Sequence, residues 1–157
     1  MKLGENNTLF QIIEKIEFFL IIHSYLKSAI KKMDKTMHLS QPYFGFVYAG
    51  YKTVEGRKCS EKWSKLQVGD LLKFIEDNDE NEHSNTFLAK ITHINKYTGG
   101  TTPEDDPLTQ MLTNENLKQI LPSVKNLEEG REVYLRIYTI ENIIKDGMLA
   151  IHLEVRQ

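Results

Sequence analysis

A short segment with three charged side chains constrains this chain of 157 residues more than any other feature. Lys52, Glu55 and Arg57 lie within six residues, between glycines and just after a run of aromatic residues. Because side chains alternate along an extended strand, Lys52 is predicted on the face opposite to Glu55 and Arg57. A charged cluster among small residues is typical of a pocket that holds a base, a phosphate or a polar ring. The alternative is a surface hairpin with an exposed ion pair, which contributes little to stability.

Length and charge favour a globular domain without a general affinity for duplex nucleic acid. Hydrophobic residues make up 40% of the chain and charged residues 27%, which is ordinary for a protein with a buried core. The formal net charge of −2 argues against tight, non-specific binding to a duplex. Between Tyr51 and Gly69, however, five basic and two acidic residues give a local charge of +3.

The cysteine, histidine and apolar patterns limit the cellular setting and the cofactors. Cys59 is the only cysteine, so no internal disulfide can form, and we expect a cytoplasmic location, with the nucleus as the alternative. None of the five histidines has metal-ligand spacing with another histidine or with Cys59, so neither a metal nor another cofactor is expected. The apolar run at 18–22 is too short, and too closely flanked by charges, to cross a membrane.

Hydrophobic periodicity predicts an α+β fold that contains a small barrel. The predicted strands are 52–57, 71–75, 86–94 and 148–155, and the predicted helices are 8–33, 108–121 and 126–138. Asn126 is expected to cap the last helix. Residues 43–48 fit either a short helix or an irregular turn. The acidic run 76–82 is expected to form a solvated loop.

Several motifs resemble those of one known family, and they occur in the same order. The string Gly50-x-Lys52-x-x-Glu55-x-Arg57 is similar to the G-x-K-x-x-E-x-R signature of the ASCH domain, a branch of the PUA-like superfamily. Further similar motifs are Val68-Gly69-Asp70, Ile91-Thr92-His93-Ile94 and Gly147-Met148-Leu149-Ala150-Ile151. The longer string that begins Gln41-Pro42-Tyr43 resembles the endothelium- and lymphocyte-associated ASCH proteins. Together the similar motifs cover residues 38–155.

The resemblance implies a PUA-like α+β fold: a small β-barrel with flanking helices and a cleft beside the signature segment. It places the ASCH domain at 37–157 and leaves 1–36 as an N-terminal helical extension. That extension is expected either to pack on its own domain or to contact a partner or a second copy. The resemblance also implies binding of RNA, nucleosides or nucleotides. One bacterial subgroup hydrolyses the acetyl amide of N(4)-acetylcytidine, and another relative cleaves RNA.

The expected ligand is single-stranded RNA, a nucleoside or a nucleotide. Lys52 and Arg57 can hold a phosphate or a carbonyl, and Glu55 can accept a hydrogen bond from a base amino group or orient Arg57. One of four aromatic residues can stack on a base: Tyr43, Phe44, Tyr48 or Tyr51. For Tyr43 and Tyr48 a place in the core is the alternative. A basic rim around this pocket is predicted from the local charge. The predicted ligand-binding residues are Tyr43, Gly50, Lys52, Thr53, Glu55 and Arg57, and we expect Lys52→Ala or Arg57→Ala to weaken binding and leave the fold intact.

Catalysis is the alternative, either as an amidohydrolase acting on N(4)-acetylcytidine-like nucleosides or as a ribonuclease. Lys52 and Glu55 would then be the catalytic residues: Lys52 as a base with a lowered pKa, and Glu55 as a base for water. The amidohydrolase subgroup, however, resembles G-x-K-T-x-T-x-R, and Glu55 stands where that pattern has a hydroxyl. It also carries an acid where this chain has Leu121-Pro122-Ser123. The resemblance therefore favours binding over catalysis.

Overall fold

The chain divides at residue 34 into two compact units. The computed structural model describes residues 12–13, 15–25, 35–77 and 84–156. In the first unit the described residues form helix α1 (12–13 and 15–25), which confirms the predicted helix 8–33 at those positions; its other positions lie outside the described residues. None of the helices that the structure describes combines the length and apolar character needed to span a bilayer. The domain boundary at residue 36 and a partner contact through α1 stay predictions.

A mixed sheet of five strands curls into a half-barrel and forms the frame of the second unit. Along the sheet the order is β1-β3-β4-β5-β2; β1 and β3 are parallel, and the other three neighbouring pairs are antiparallel. The strands are β1 (Thr36–Leu39), β2 (Val54–Lys58), β3 (Leu71–Glu76), β4 (Thr86–Tyr97) and β5 (Met148–Arg156). The predicted α+β fold with a curled sheet and flanking helices is confirmed, and β1 and β2 are the two edges of the described sheet.

Short helices flank this sheet. They are α2 (Tyr43–Tyr48), α3 (Glu61–Ser64), α4 (Pro107–Asn114), α5 (Leu117–Ile120), α6 (Leu127–Leu135) and α7 (Ile140–Asp146). Asn126 caps α6, as predicted, because its side chain accepts a hydrogen bond from the Glu129 N–H at 3.0 Å. The predicted helix 108–121 is instead two helices, since the Asn116 side chain accepts from the Lys118 N–H and begins a new one.

Strand β5 lies between two hydrophobic cores because its side chains alternate between them. Leu149, Ile151 and Leu153 belong to the core shared with α2, β1 and β3. Met148 and Ala150 belong to the second core, which is shared with α4, α5, α6 and α7. Both faces of β5 are therefore buried, and a slip of one residue in its register would exchange the two sets of side chains.

The turn region between β3 and β4 differs from the predicted solvated loop. Asp77 is exposed, but Glu76 is buried at the end of β3, so the prediction is wrong at that residue. The Glu76 carboxylate accepts hydrogen bonds from Gln41 Nε2 at 2.7 Å and from Asn85 Nδ2 at 2.6 Å, which offset the cost of burying it. The rest of the acidic run falls in 78–83, outside the described residues.

Candidate ligand-binding cleft

A cleft of about 190 Å³ is lined by residues of both edge strands, β1 and β2. The side chain of Arg57 connects these edges, since its Nη2 donates to the carbonyl oxygen of His38 at 3.3 Å. The other walls come from the start of α2 and from α6 with the residues after it. The lining consists of His38, Leu39, Ser40, Tyr43, Lys52, Glu55, Gly56, Arg57, Asp77, Leu121, Val133, Tyr134, Ile137 and Tyr138.

The Lys52 ammonium is buried, with only 2% of the residue exposed. Its Nζ lies 3.0 Å from Glu55 Oε2 and donates to the carbonyl oxygens of Val54 at 2.9 Å and Ile120 at 2.5 Å. These three acceptors match the three N–H donors of an ammonium group. The prediction that Lys52 and Glu55 lie on opposite faces is wrong, because β2 begins at Val54 and the alternation of a strand does not reach Lys52.

Glu55 lies between two cations. In addition to the Lys52 contact, Glu55 Oε1 is 2.7 Å from Arg57 Nε, an ion pair in which the N–H does not have hydrogen-bond geometry. The Glu55 side chain is 6% exposed and that of Arg57 is 21% exposed, so Arg57 is the more accessible of the two. The Arg57 guanidinium also lies 5.6 Å from the centre of the Trp63 ring, a cation–π contact that helps to hold it in place.

The electrostatics of the cleft keep the Glu55 carboxylate ionised. Burial alone favours the neutral acid, but the charges of Lys52 and Arg57 outweigh it and lower the pKa of Glu55. Burial lowers the pKa of Lys52, and the attraction of Glu55 opposes that shift. Burial also raises the pKa of Tyr134 well above its ordinary value, and the Glu55 charge adds to the effect. The cleft thus combines a carboxylate held between two cations with a neutral phenol.

Gly56 allows Tyr134 to lie directly against β2. A Cβ atom at position 56 would lie 2.1 Å from Tyr134 Oη and 2.8 Å from Met111 Cε, both closer than side chains can pack. Sequence reasoning did not place Tyr134 or Tyr138 at the site. Their spacing of four residues indicates one face of a helix, but it does not identify what that face contacts.

The structure brings four of the six predicted ligand-binding residues together in the cleft: Tyr43, Lys52, Glu55 and Arg57. Gly50 and Thr53 lie outside its described lining. Gly50, with φ +78°, makes the turn after α2, a conformation that favours glycine. The backbone of Thr53 bonds to Gln119 and Leu153, so this residue joins β5 to α5.

The predicted basic rim does not line the cleft. Of the five basic residues between Tyr51 and Gly69, only Lys52 and Arg57 belong to the described lining. Lys58 pairs with Asp146, and Lys65 pairs with Glu61 at 2.7 Å. Lys62 lies 4.2 Å from the centre of the Trp63 ring. The positive charge of this segment is therefore largely engaged within the protein, and in the cleft itself the charges of Lys52 and Arg57 are balanced by those of Glu55 and Asp77.

Comparisons with known proteins agree with this architecture. The family model of the ASCH domain matches residues 37–156. The crystal structure of a hypothetical protein is 30% identical, with 77% of this chain and 97% of that chain covered and a TM-score of 0.62. The solution NMR structure of a protein from Pyrococcus furiosus is 28% identical, with 78% of this chain and 97% of that chain covered and a TM-score of 0.59. No curated protein matches the chain.

Proposed function

The chain belongs to the ASCH domain family, and on that premise we propose that it binds single-stranded RNA or a nucleotide-type ligand in the cleft. The observation that carries the proposal is the ionised Glu55 held between Lys52 and Arg57 at the wall of the cleft. An ionised carboxylate accepts hydrogen bonds, and a guanidinium donates them in one plane. The pair therefore offers an acceptor beside a donor, which is complementary to the polar edge of a nucleobase.

The other walls of the cleft support the same proposal. Tyr43, Tyr134 and Tyr138 place three phenol rings in the lining, next to the apolar side chains of Val133 and Ile137. Aromatic rings stack on the faces of unpaired bases, whichever base is present. A base whose faces meet aromatic and apolar groups, and whose edge meets Glu55 and Arg57, fits a single-stranded ligand. The bases of a duplex are already stacked and paired.

Hydrolysis of an N(4)-acetylcytidine-like amide is less well supported by this geometry. A lysine acts as a base only in its neutral form. Burial lowers the pKa of Lys52 in that direction, as predicted, but its Nζ is already engaged by three acceptors within the protein and is not directed at a ligand. A carboxylate whose pKa is lowered is also a weak base near neutral pH. We therefore expect no acetate release from N(4)-acetylcytidine and no cleavage of a short RNA. Turnover that Glu55→Gln abolishes would reverse this preference.

The decisive experiment compares two variants of one strand. Arg57→Gln removes the accessible cation of the cleft, whereas Lys58→Gln removes an equal charge one residue further along β2, outside the described lining. Hydrogen bonds to charged groups contribute about 1.5–3 kcal/mol, so Arg57→Gln should weaken binding of nucleotides or short single-stranded RNA about 10-fold or more. Lys58→Gln should change the affinity less than about twofold, because Lys58 lies outside the described lining and is not expected to bond to the ligand. Isothermal titration calorimetry would measure both.

Two results would contradict the proposal. One is that the unmodified protein binds no ribonucleotide and no short single-stranded RNA. The other is that Arg57→Gln and Lys58→Gln bind as tightly as the unmodified protein, which would assign any observed affinity to another surface. A thermal melt of each variant checks that the fold is retained.

A further inference from the structure

A second cavity of about 350 Å³ lies on the other side of helix α2. Tyr48 and Phe87 supply its aromatic part, and Gln41, Glu76 and Asn85 supply its polar part. No role in the cleft described above requires these side chains. The cavity is therefore a separate feature that needs its own explanation.

The aromatic part presents an exposed ring on a firm support. Tyr48 is 65% exposed, and its ring centre lies 5.5 Å from that of Phe87, at an angle of 55°. Phe87 is itself stacked on the fully buried Phe74, with the ring centres 5.0 Å apart. An exposed aromatic residue supported by the core in this way is typical of a surface on which a base stacks.

The polar part is an array of planar groups that is already organised. Two amides donate to one carboxylate: Gln41 Nε2 to Glu76 Oε1 at 2.7 Å, and Asn85 Nδ2 to Glu76 Oε2 at 2.6 Å. Carboxamide and carboxylate groups are the side chains that recognise the edges of bases, since they provide donors and acceptors in a plane. The cavity thus repeats the combination found in the cleft, a stacking surface beside a polar plane.

The two cavities share a wall. Ser40 and Tyr43 line the first and their chain neighbours Gln41 and Phe44 line the second. In the same way, Asp77 lines the first and Glu76 lines the second. Consecutive Cα atoms are 3.8 Å apart, so the cavities are separated by about the thickness of the backbone. That is close enough for neighbouring units of one extended chain to occupy both.

We propose that the second cavity binds the base next to the one in the cleft, so that the ligand is a single-stranded oligonucleotide of at least two nucleotides. This inference rests on the proposed function and makes it more specific. Gln41, Glu76 and Asn85 then contact the edge of the second base, and Tyr48 stacks on its face.

Calorimetric titrations can isolate the contribution of the second base. The probes are the four ribonucleoside 5′-monophosphates, the corresponding 3′,5′-bisphosphates and the dinucleotides. The bisphosphate carries the additional phosphate without the additional base, so it is the reference. We expect the dinucleotides to bind at least about fivefold more tightly than the bisphosphates, as base–aromatic stacking implies.

Substitutions of two tyrosines test whether the tighter binding of dinucleotides than of bisphosphates comes from the second cavity. Tyr48→Ala should abolish the preference for dinucleotides and leave the affinity for monophosphates unchanged, whereas Tyr48→Phe, which retains the ring, should keep the preference. Tyr51→Ala is the matched control, because Tyr51 is 69% exposed and lies outside the described lining of both cavities. Arg57→Gln should weaken the binding of every probe.

The possible failures are distinguishable. If monophosphates bind but dinucleotides bind no better than bisphosphates, or if Tyr48→Ala keeps the preference, the second subsite is wrong and the proposed function of the cleft stands. If no probe binds, the proposed function and the second subsite are both wrong.

Discussion

Lys52 is the residue whose loss should destabilise the fold most directly. Removing it leaves Glu55 with one cation instead of two, and it leaves the carbonyl groups of Val54 and Ile120 without their donor. Breaking a buried ion pair by removing one partner costs about 3–5 kcal/mol. Burial therefore replaces the expectation that Lys52→Ala leaves the fold intact: we predict a loss of that size in the unfolding free energy, measured by urea denaturation.

Two further variants distinguish the stability that is lost with the buried Lys52–Glu55 ion pair from the stability that is lost when any lysine is removed. Lys65 pairs with Glu61 at the surface, where the side chains are 67% and 86% exposed, so Lys65→Ala should cost no more than about 1 kcal/mol. The double variant Lys52→Met/Glu55→Gln should be more stable than Lys52→Ala, because it removes both fully buried charges and leaves unpaired only Arg57, whose side chain is 21% exposed. Equal stability of Lys52→Ala and the unmodified protein would contradict the described burial.

Gly56 has a steric role that a single methyl group can test. In Gly56→Ala the new Cβ would meet Tyr134 Oη at 2.1 Å, so Tyr134 must move away from β2 and disturb both the core and the cleft. We predict a loss of about 1–3 kcal/mol in the unfolding free energy, as overpacking of a filled site implies. Gly56→Ala/Tyr134→Phe should recover only part of the loss, since the ring carbon that carries the hydroxyl is also within 2.9 Å. Full recovery, or no loss at all, would show that Tyr134 is free to shift.

At the scale of elements, the long strands and the capped helix α6 could be predicted from sequence, whereas several short elements could not. Strands β3, β4 and β5 have clear apolar patterns between turn residues. By contrast, β1 and α3 have four residues each, which is too few for a period to be recognised. Helix α7 follows α6 after only four residues, 136–139, with Thr139 as its cap, and no glycine or proline in that interval separates the two.

Helix α4 depends on a cap that also links it to α6. Asp106 is 1% exposed; its side chain accepts from the Thr109 N–H at 2.9 Å, and Oδ2 lies 2.7 Å from Arg131 Nη1. Asp106→Ala removes the cap and leaves Arg131 unpaired, so we predict a loss of about 2–4 kcal/mol, measured by denaturation. Asn126→Ala removes an exposed cap without an ion pair and should cost about 1 kcal/mol. Similar losses for the two variants would show that the contact between Asp106 and Arg131 contributes little.

For the molecule as a whole, one side of the cleft is local in sequence and the other is not. Lys52, Glu55 and Arg57 are close along the chain, and their residue types alone indicate a charged site. Tyr134 and Tyr138 come from about 80 positions further on, and they reach β2 only because the second core places α6 against it. Hydrophobic periodicity predicts that such helices bury one face, but it does not identify the strand against which that face packs. That information requires the packed structure.

The dependence of stability on pH follows from the burial of the Glu55 carboxylate between Lys52 and Arg57. The pKa of Glu55 is lowered in the folded protein, so below its ordinary value of 4.5 the unfolded chain binds more protons than the folded one. Stability from this residue is therefore present above about pH 5 and is lost as the pH falls through the lower, folded pKa.

We predict that the unfolding free energy decreases from pH 6 to pH 3, and that Glu55→Gln has a shallower slope by up to about 1.4 kcal/mol per pH unit. Because a hydrogen bond from Lys58 also lowers the pKa of Asp146, part of the slope should remain in that variant. If Glu55→Gln keeps the slope of the unmodified protein, the Glu55 carboxylate is not held by two cations.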